Sequence, residues 1–125
     1  MAKILIVDDS EFSRRILRRI LEAAGHHVIE AEDGTAGLER YNVEKPALVL
    51  LDLTMPGPHG LDVLRQIRET DPTACVIVAT ADVQRSSREL TEAAGACNFI
   101  TKPFVEEAVL TAVNVALSGG DDGSQ

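Results

Sequence analysis

The sequence predicts an α/β fold, a doubly wound five-stranded parallel sheet with five helices on its two faces, and three observations predict it. Ile4-Leu5-Ile6-Val7, Leu48-Val49-Leu50-Leu51 and Val76-Ile77-Val78-Ala79 are uninterrupted apolar runs, the habit of strands buried on both faces. Between them lie segments whose apolar residues recur at three- and four-residue spacings, as on one face of a helix. The 125 residues carry no internal repeat and suffice for one domain whose core needs neither disulfides nor a structural metal.

The elements follow in order. Lys3 to Val7 is the first strand, stopped by Asp8-Asp9 and by Ser10, a helix-capping residue. A helix from Glu11 to Ala24 presents Phe12, Ile16, Ile20 and Ala24 as its apolar face, beside Leu17 and Leu21, and Gly25 caps its end. His27 to Ala31 is the second strand. Asp33-Gly34 opens a short helix through Tyr41, and Lys45-Pro46 breaks the pattern before the third strand, which ends on Asp52. After a loop of two prolines and two glycines, Leu61, Val63, Leu64 and Ile67 make a helix face that stops before Asp71-Pro72. Ala74 to Thr80 is the fourth strand, Val83 to Ala94 the fourth helix, ended by Gly95, and Cys97 to Thr101 the fifth strand. The last helix buries Phe104, Ala108, Ala112 and Ala116, flanked by Val105, Val109, Val113 and Leu117. The domain thus spans residues 1–117, and 118–125, with little to bury, is a flexible tail.

Composition narrows the function classes. With no Trp, one Tyr and three Phe, the core is aliphatic. A formal net charge of −8 argues against nucleic acid as a direct partner, since phosphate neutralisation needs a clustered basic surface. No apolar run approaches the roughly 18 residues that cross a bilayer, and the N-terminus lacks a signal-peptide pattern. No membrane insertion and a cytoplasmic location are therefore expected. Cys75 and Cys97 read as small buried hydrophobes of a reducing compartment, without chemistry. His59, His26 and His27 read as surface or strand-edge residues.

With the strands in the flavodoxin-like order 2-1-3-4-5, the first and third strands adjoin at the switch point where such sheets bind ligands, beyond their carboxyl ends. Asp8 and Asp9 then lie next to Asp52. Each residue alone has an ordinary explanation: a helix cap for Asp8-Asp9, a turn for Asp52, a strand-end hydroxyl for Thr80, a solvated Lys102. Four neighbouring strand ends carrying Asp-Asp, Asp, Thr and Lys point instead to a site. Three converging carboxylates repel one another, and a hard divalent cation relieves that repulsion. Oxygen ligands without His or Cys favour Mg2+ over zinc, with phosphate completing the shell. Thr80 and Lys102 are suited to hold the oxygens of a phosphoryl group on Asp52. Lys102-Pro103 permits a cis peptide that aims the lysine inward.

Asp8-Asp9, Asp52 with Met55-Pro56 and Gly60, Thr80-Ala81 and Lys102-Pro103, in that order, resemble the receiver domains of two-component response regulators, of the single-domain, chemotaxis-regulator-like kind, over the chain up to Leu117. The resemblance implies that Asp52 is the phosphoacceptor, taking a phosphoryl group from a phosphohistidine on a histidine kinase or histidine phosphotransfer protein, with Mg2+ as cofactor. It implies Asp9 as direct metal ligand, Asp8 acting largely through water, and the Thr54 backbone carbonyl alongside Asp52. It further implies Thr80 and the Ala81 N–H on phosphoryl oxygens, Lys102 on another, and Phe99 as the aromatic that turns inward as Thr80 moves. The switched surface, helix four, strand five and helix five, would bind a downstream target. Such a phosphorelay phosphoprotein catalyses its own phosphorylation and autodephosphorylation but acts mainly by binding. In that family the residues at the positions of Thr54 and Asp82 vary and tune the lifetime of the acyl phosphate, so the resemblance leaves that lifetime open.

Other classes fit less well. An FMN-binding carrier of the same topology would want hydroxyls and N–H groups after its first strand, where two acids stand. An aspartate-nucleophile hydrolase would want a second carboxylate poised near Asp52 as acid-base, which Leu53 and Thr54 do not supply. An interaction module without chemistry would not need the full set. Finally, Arg14, Arg15, Arg18 and Arg19 fall opposite the Phe12/Ile16/Ile20 face, as a solvated surface or as a basic stripe for the kinase-side partner.

Overall fold

The structure is a computed structural model that describes residues 2–53, 60–81 and 85–118. Its elements are β1 (Lys3–Val7), α1 (Glu11–Ala23), β2 (His27–Ala31), α2 (Gly34–Glu44), β3 (Leu48–Leu51), α3 (Gly60–Thr70), β4 (Val76–Thr80), α4 (Arg85–Ala93), β5 (Asn98–Thr101) and α5 (Glu106–Leu117). The five strands form one parallel sheet in the order β2-β1-β3-β4-β5.

The unbroken apolar runs follow from what covers the sheet. Successive side chains leave a strand on opposite faces. Leu5, Val7, Val49, Leu51, Val76 and Val78 pack with Tyr41 of α2 and Val63, Leu64 and Ile67 of α3. Ile4, Ile6, Leu48, Leu50, Ile77 and Ala79 face the other way, onto Leu17 and Leu21 of α1 and Val109, Ala112 and Val113 of α5. Neither face of the central strands meets water, so alternation has no place in them.

Two helices sit differently from the sequence expectation. α1 buries Ser13, Leu17 and Leu21, while Phe12 is 70% exposed, Ile16 and Ile20 are half-buried and Ala24 is exposed. The helix carries two adjacent apolar rows, and the small Ser13 lets the Leu17/Leu21 row close on the sheet. α5 likewise buries Val109, Ala112 and Val113, leaving Val105, Ala108 and Val115 exposed. Branched valines fill the space over β3 and β5 that a row of alanines would leave empty.

Helix ends agree with their capping chemistry. Gly25 and Gly95 have φ of 93° and 107°, the left-handed region that favours glycine. α2 runs to Glu44, three residues beyond Tyr41, and stops where Lys45 turns left-handed and returns its N–H to the Tyr41 carbonyl. Gly60 starts α3 against the backbone of the third strand's end. A Cβ there would lie 2.6 Å from Leu53 Cα and 2.7 Å from the Asp52 carbonyl oxygen. Gly60→Ala should therefore destabilise the fold by about 1–3 kcal/mol, because backbone strain outweighs the roughly 1 kcal/mol that alanine contributes to a helix. Urea unfolding measures this, and a midpoint at or above the parent's would show that the α3 start gives way freely.

Candidate functional site

The carboxyl edge of the sheet is built by its own ladder continued one residue past the strands. Asp8 N–H donates to the Ala31 carbonyl at 3.1 Å, Asp52 N–H to the Val7 carbonyl at 2.9 Å, and Lys102 N–H to the Thr80 carbonyl at 2.8 Å. Asp8 and Asp52 thus stand at the first position where a buried strand no longer needs an apolar side chain, and Lys102 follows Thr101 at the end of the edge strand. Asp8 turns toward the sheet because the Ser10 N–H donates to its Oδ1 at 2.8 Å, and Ser10 Oγ then caps α1 by accepting from the Ser13 N–H.

Asp8 and Asp52 are buried, Asp9 is exposed, and carboxylate oxygens of the three lie within 4.8 Å of one another. Lys102 reaches over them, its Nζ 3.1 Å from Asp8 Oδ2 and 3.2 Å from Asp52 Oδ2. Its peptide bond to Pro103 is cis. Thr80, fully buried, closes β4 opposite Thr101, and Phe99, largely buried, lies two residues earlier on β5, opposite Val78. Ala81 is exposed beside Lys102 at the rim. The structure therefore brings Asp8, Asp9, Asp52, Thr80, Ala81 and Lys102 to one edge. Thr54, with Met55, Pro56 and His59, and Asp82 lie outside the described residues.

Electrostatics make this edge a strained cluster of like charges. Burial pushes the Asp8 carboxyl above its usual range and the neighbouring Asp52 charge adds to this, against the Ser10 N–H and Lys102. Burial would lower the Lys102 ammonium, but its bonds to Asp8 and Asp52 outweigh that and hold it raised. Asp8 Oδ2 is at ion-pair distance from Lys102, yet no hydrogen bond of acceptable geometry reaches it among the described residues. An oxygen-only donor set with a buried carboxylate oxygen short of a donor fits a hard divalent cation.

One positioning group was missed in the sequence. Arg14, expected on an open basic stripe, donates to the Asp8 carbonyl at 2.6 Å and to Glu30 of β2 at 2.9 Å, with its side chain 14% exposed. Arg18 also pairs with Glu30 and with Glu22, and Arg15 with Glu11. Although partial burial works against it, Glu30 is held below the usual carboxylate range by Arg18 and Arg14. The stripe is thus largely neutralised, and Arg14 braces the turn that carries Asp8. An acid within a strand that is otherwise half apolar was the available signal.

The Response regulator receiver domain family model matches residues 4–114. Protein PilH of Pseudomonas aeruginosa is 39% identical over 121 residues, covering 95% of this chain and all of that protein. The chemotaxis protein CheY of Thermotoga maritima is 40% identical, covering 90% of this chain and 94% of its own. Among solved structures, a CheY-like receiver domain protein from Methanospirillum hungatei superposes with a TM-score of 0.91 at 27% identity, covering 96% of each chain. Chemotaxis protein CheY4 of Vibrio cholerae gives 0.89 at 27% identity, over 94% of this chain and 99% of that one. A match that runs from β1 into α5, joined to the same sheet order and an acidic pocket at its carboxyl edge, places the chain in the response regulator receiver domain family of two-component signalling.

Proposed function

We propose that this protein is a phosphoacceptor switch in which Asp52 takes a phosphoryl group from a partner's phosphohistidine. The observation that carries it is the convergence of Asp8, Asp9, Asp52 and Lys102 on one edge, beside the buried Thr80. A carboxylate oxygen of Asp52 attacks phosphorus in line, the phosphorus–nitrogen bond breaks, and the histidine leaves with the bonding pair and takes up a proton. Asp8, Asp9, Asp52 and the Thr54 carbonyl would hold Mg2+, which when bound neutralises charge on the transferring group. Lys102 exchanges its contact with Asp52 for a phosphoryl oxygen, and Thr80 and the Ala81 N–H take the others. Phe99 follows Thr80, changing the surface of α4, β5 and α5 that a downstream target binds. Supporting this surface, Phe99, Val105, Ala108, Thr111 and Val115 line a groove of about 510 Å³.

The direct test is incubation with Mg2+ and a small acyl phosphate donor, followed by mass spectrometry. One phosphoryl group, labile to hydroxylamine and mapping to Asp52, is expected. No adduct, or an adduct elsewhere, would overturn the assignment. No helix among the described residues is long and apolar enough to cross a membrane.

For the kinase-side partner, the structure favours an apolar dock over the arginine stripe. Phe12, Ile16, Pro103 and Phe104 line a groove of about 370 Å³ that includes Ala81 and Lys102, the lysine that pairs with Asp52. Exposed aromatics at the centre of an interface cost 1–2 kcal/mol or more when truncated, roughly tenfold or more in affinity. Phe12→Ser, exposed and so harmless to the core, should slow phosphotransfer from the phosphohistidine partner about tenfold at subsaturating concentrations. Labelling by the small donor should not change. Arg15→Glu with Arg19→Glu should alter only the rate and its salt dependence. A parent-like transfer rate in Phe12→Ser would place the dock elsewhere.

A further inference from the structure

Cys75 and Cys97, expected to be separately buried and inert, meet at the opposite edge of the sheet from Asp52. Their sulfurs lie 2.7 Å apart, with Cys75 half-buried and Cys97 exposed. Both backbones are pinned: Val49 N–H donates to the Cys75 carbonyl at 3.0 Å, and Cys97 N–H to the Val76 carbonyl at 2.8 Å. Continuing the β4–β5 register places Val76 opposite Cys97 and makes Cys75 its diagonal neighbour. Such neighbours on adjacent strands have Cα atoms about 6 Å apart, inside the roughly 4.4–6.8 Å that a disulfide spans. A cation lies between neighbours of the pair. The Arg68 guanidinium of α3 donates to the Ala74 carbonyl at 2.7 Å and lies so close to Gly95 that a Cβ there would meet its Nε at 2.7 Å.

We propose that Cys75 and Cys97 are a reversible dithiol modification site, oxidised to an intramolecular disulfide by a peroxide. Cys97 is the attacking sulfur: it is exposed, and the Cys75 thiol, with Arg68 behind it, draws its pKa below the usual thiol range, while Cys75 itself is raised. The Cys97 thiolate attacks one peroxide oxygen, so that a sulfur–oxygen bond forms as the oxygen–oxygen bond breaks. The released hydroxide takes a proton and leaves as water. Cys75 then attacks the Cys97 sulfenic acid, the sulfur–sulfur bond forms, the sulfur–oxygen bond breaks, and a second water carries off the Cys75 proton. The two sulfurs lose two electrons and the peroxide gains them. A small dithiol reverses the change. The bond would tie the α4–β5 connection to the start of β4.

The test treats the reduced protein with one equivalent of hydrogen peroxide, blocks remaining thiols with an alkylating reagent, and reads intact mass and a non-reducing peptide map. A monomer lighter by two hydrogen atoms is expected, with neither cysteine alkylated, the Cys75 and Cys97 peptides linked, and full reversal by dithiothreitol. Cys75→Ser should instead accumulate a sulfenic acid at Cys97 that a dimedone probe traps. A parent whose Cys97 collects oxygen while Cys75 stays alkylatable, or one that forms disulfide-linked dimers instead, would overturn the proposal. Because neither readout involves Asp52, the outcome is independent of whether Asp52 accepts phosphate.

Discussion

Asp52→Asn should carry no hydroxylamine-labile phosphate after incubation with Mg2+ and a small acyl phosphate, a fall in labelling of at least about 10³-fold. The amide nitrogen and oxygen of asparagine are not competent nucleophiles, and the remaining carboxylates are poorly placed to substitute. Asp8 Oδ1 already accepts the Ser10 N–H at 2.8 Å, and its other oxygen faces Lys102. Asp9 is exposed, outside the enclosure proposed to hold the phosphoryl group against Lys102 and Thr80. The substitution should not unfold the chain, because it removes one charge from a crowded acidic pocket and leaves Lys102 paired with Asp8. Circular dichroism and thermal melting alongside intact-mass measurement separate loss of the nucleophile from loss of the fold. Labelling at the parent's level in a folded Asp52→Asn protein would remove Asp52 from the chemistry.

The rim was legible in the sequence because a parallel sheet buried on both faces leaves polar residues nowhere to go but its ends. Asp8 and Asp52 follow apolar strands directly, Lys102 follows the edge strand β5, and their N–H groups donate to the carbonyls of Ala31, Val7 and Thr80, which holds them there. The sheet order followed from five strands alternating with five helices, for which 2-1-3-4-5 is the natural doubly wound arrangement. What periodicity could not resolve was which of two apolar rows a helix buries. In α1, Phe12-Ile16-Ile20 and Leu17-Leu21 both repeat at four residues, and only contact with Ile4, Ile6 and the α5 valines selects the second. The consequence is functional, because the rejected Phe12 becomes part of the groove beside Lys102. Long-range pairings were hidden for another reason. Arg14 with Glu30, and Cys75 with Cys97, are separated by 16 and 22 residues, and only the packing of α1 against β2 and the docking of the α4–β5 connection at the start of β4 bring them together.

Asp8→Asn should have two opposite effects. Without Mg2+, the raised carboxyl of Asp8 means that the folded state holds its proton more tightly than the unfolded chain does. A group raised in this way contributes stability below the ordinary carboxylate range and loses it as pH rises through the folded value. At neutral pH the ionised Asp8 is therefore a net liability, its pairing with Lys102 already counted. Asparagine keeps the shape and removes the charge, so the variant should melt above the parent at pH values above that window. The advantage should vanish at acid pH, where the parent's Asp8 is protonated. Mg2+ should reverse the order. Losing a carboxylate from the oxygen cluster should weaken Mg2+ binding about 10–100-fold, and a ligand that binds only the folded state stabilises it in proportion to the logarithm of its saturation. The parent should thus gain more from millimolar Mg2+ than the variant does. Asp9→Asn is the control: Asp9 is exposed, so it should lose Mg2+ affinity without gaining stability in its absence. Thermal melts across pH, with and without Mg2+, read all of these. If Asp8→Asn melts below the parent at neutral pH without Mg2+, the strain does not reside in Asp8; if Mg2+ stabilises both equally, Asp8 takes no part in holding the ion.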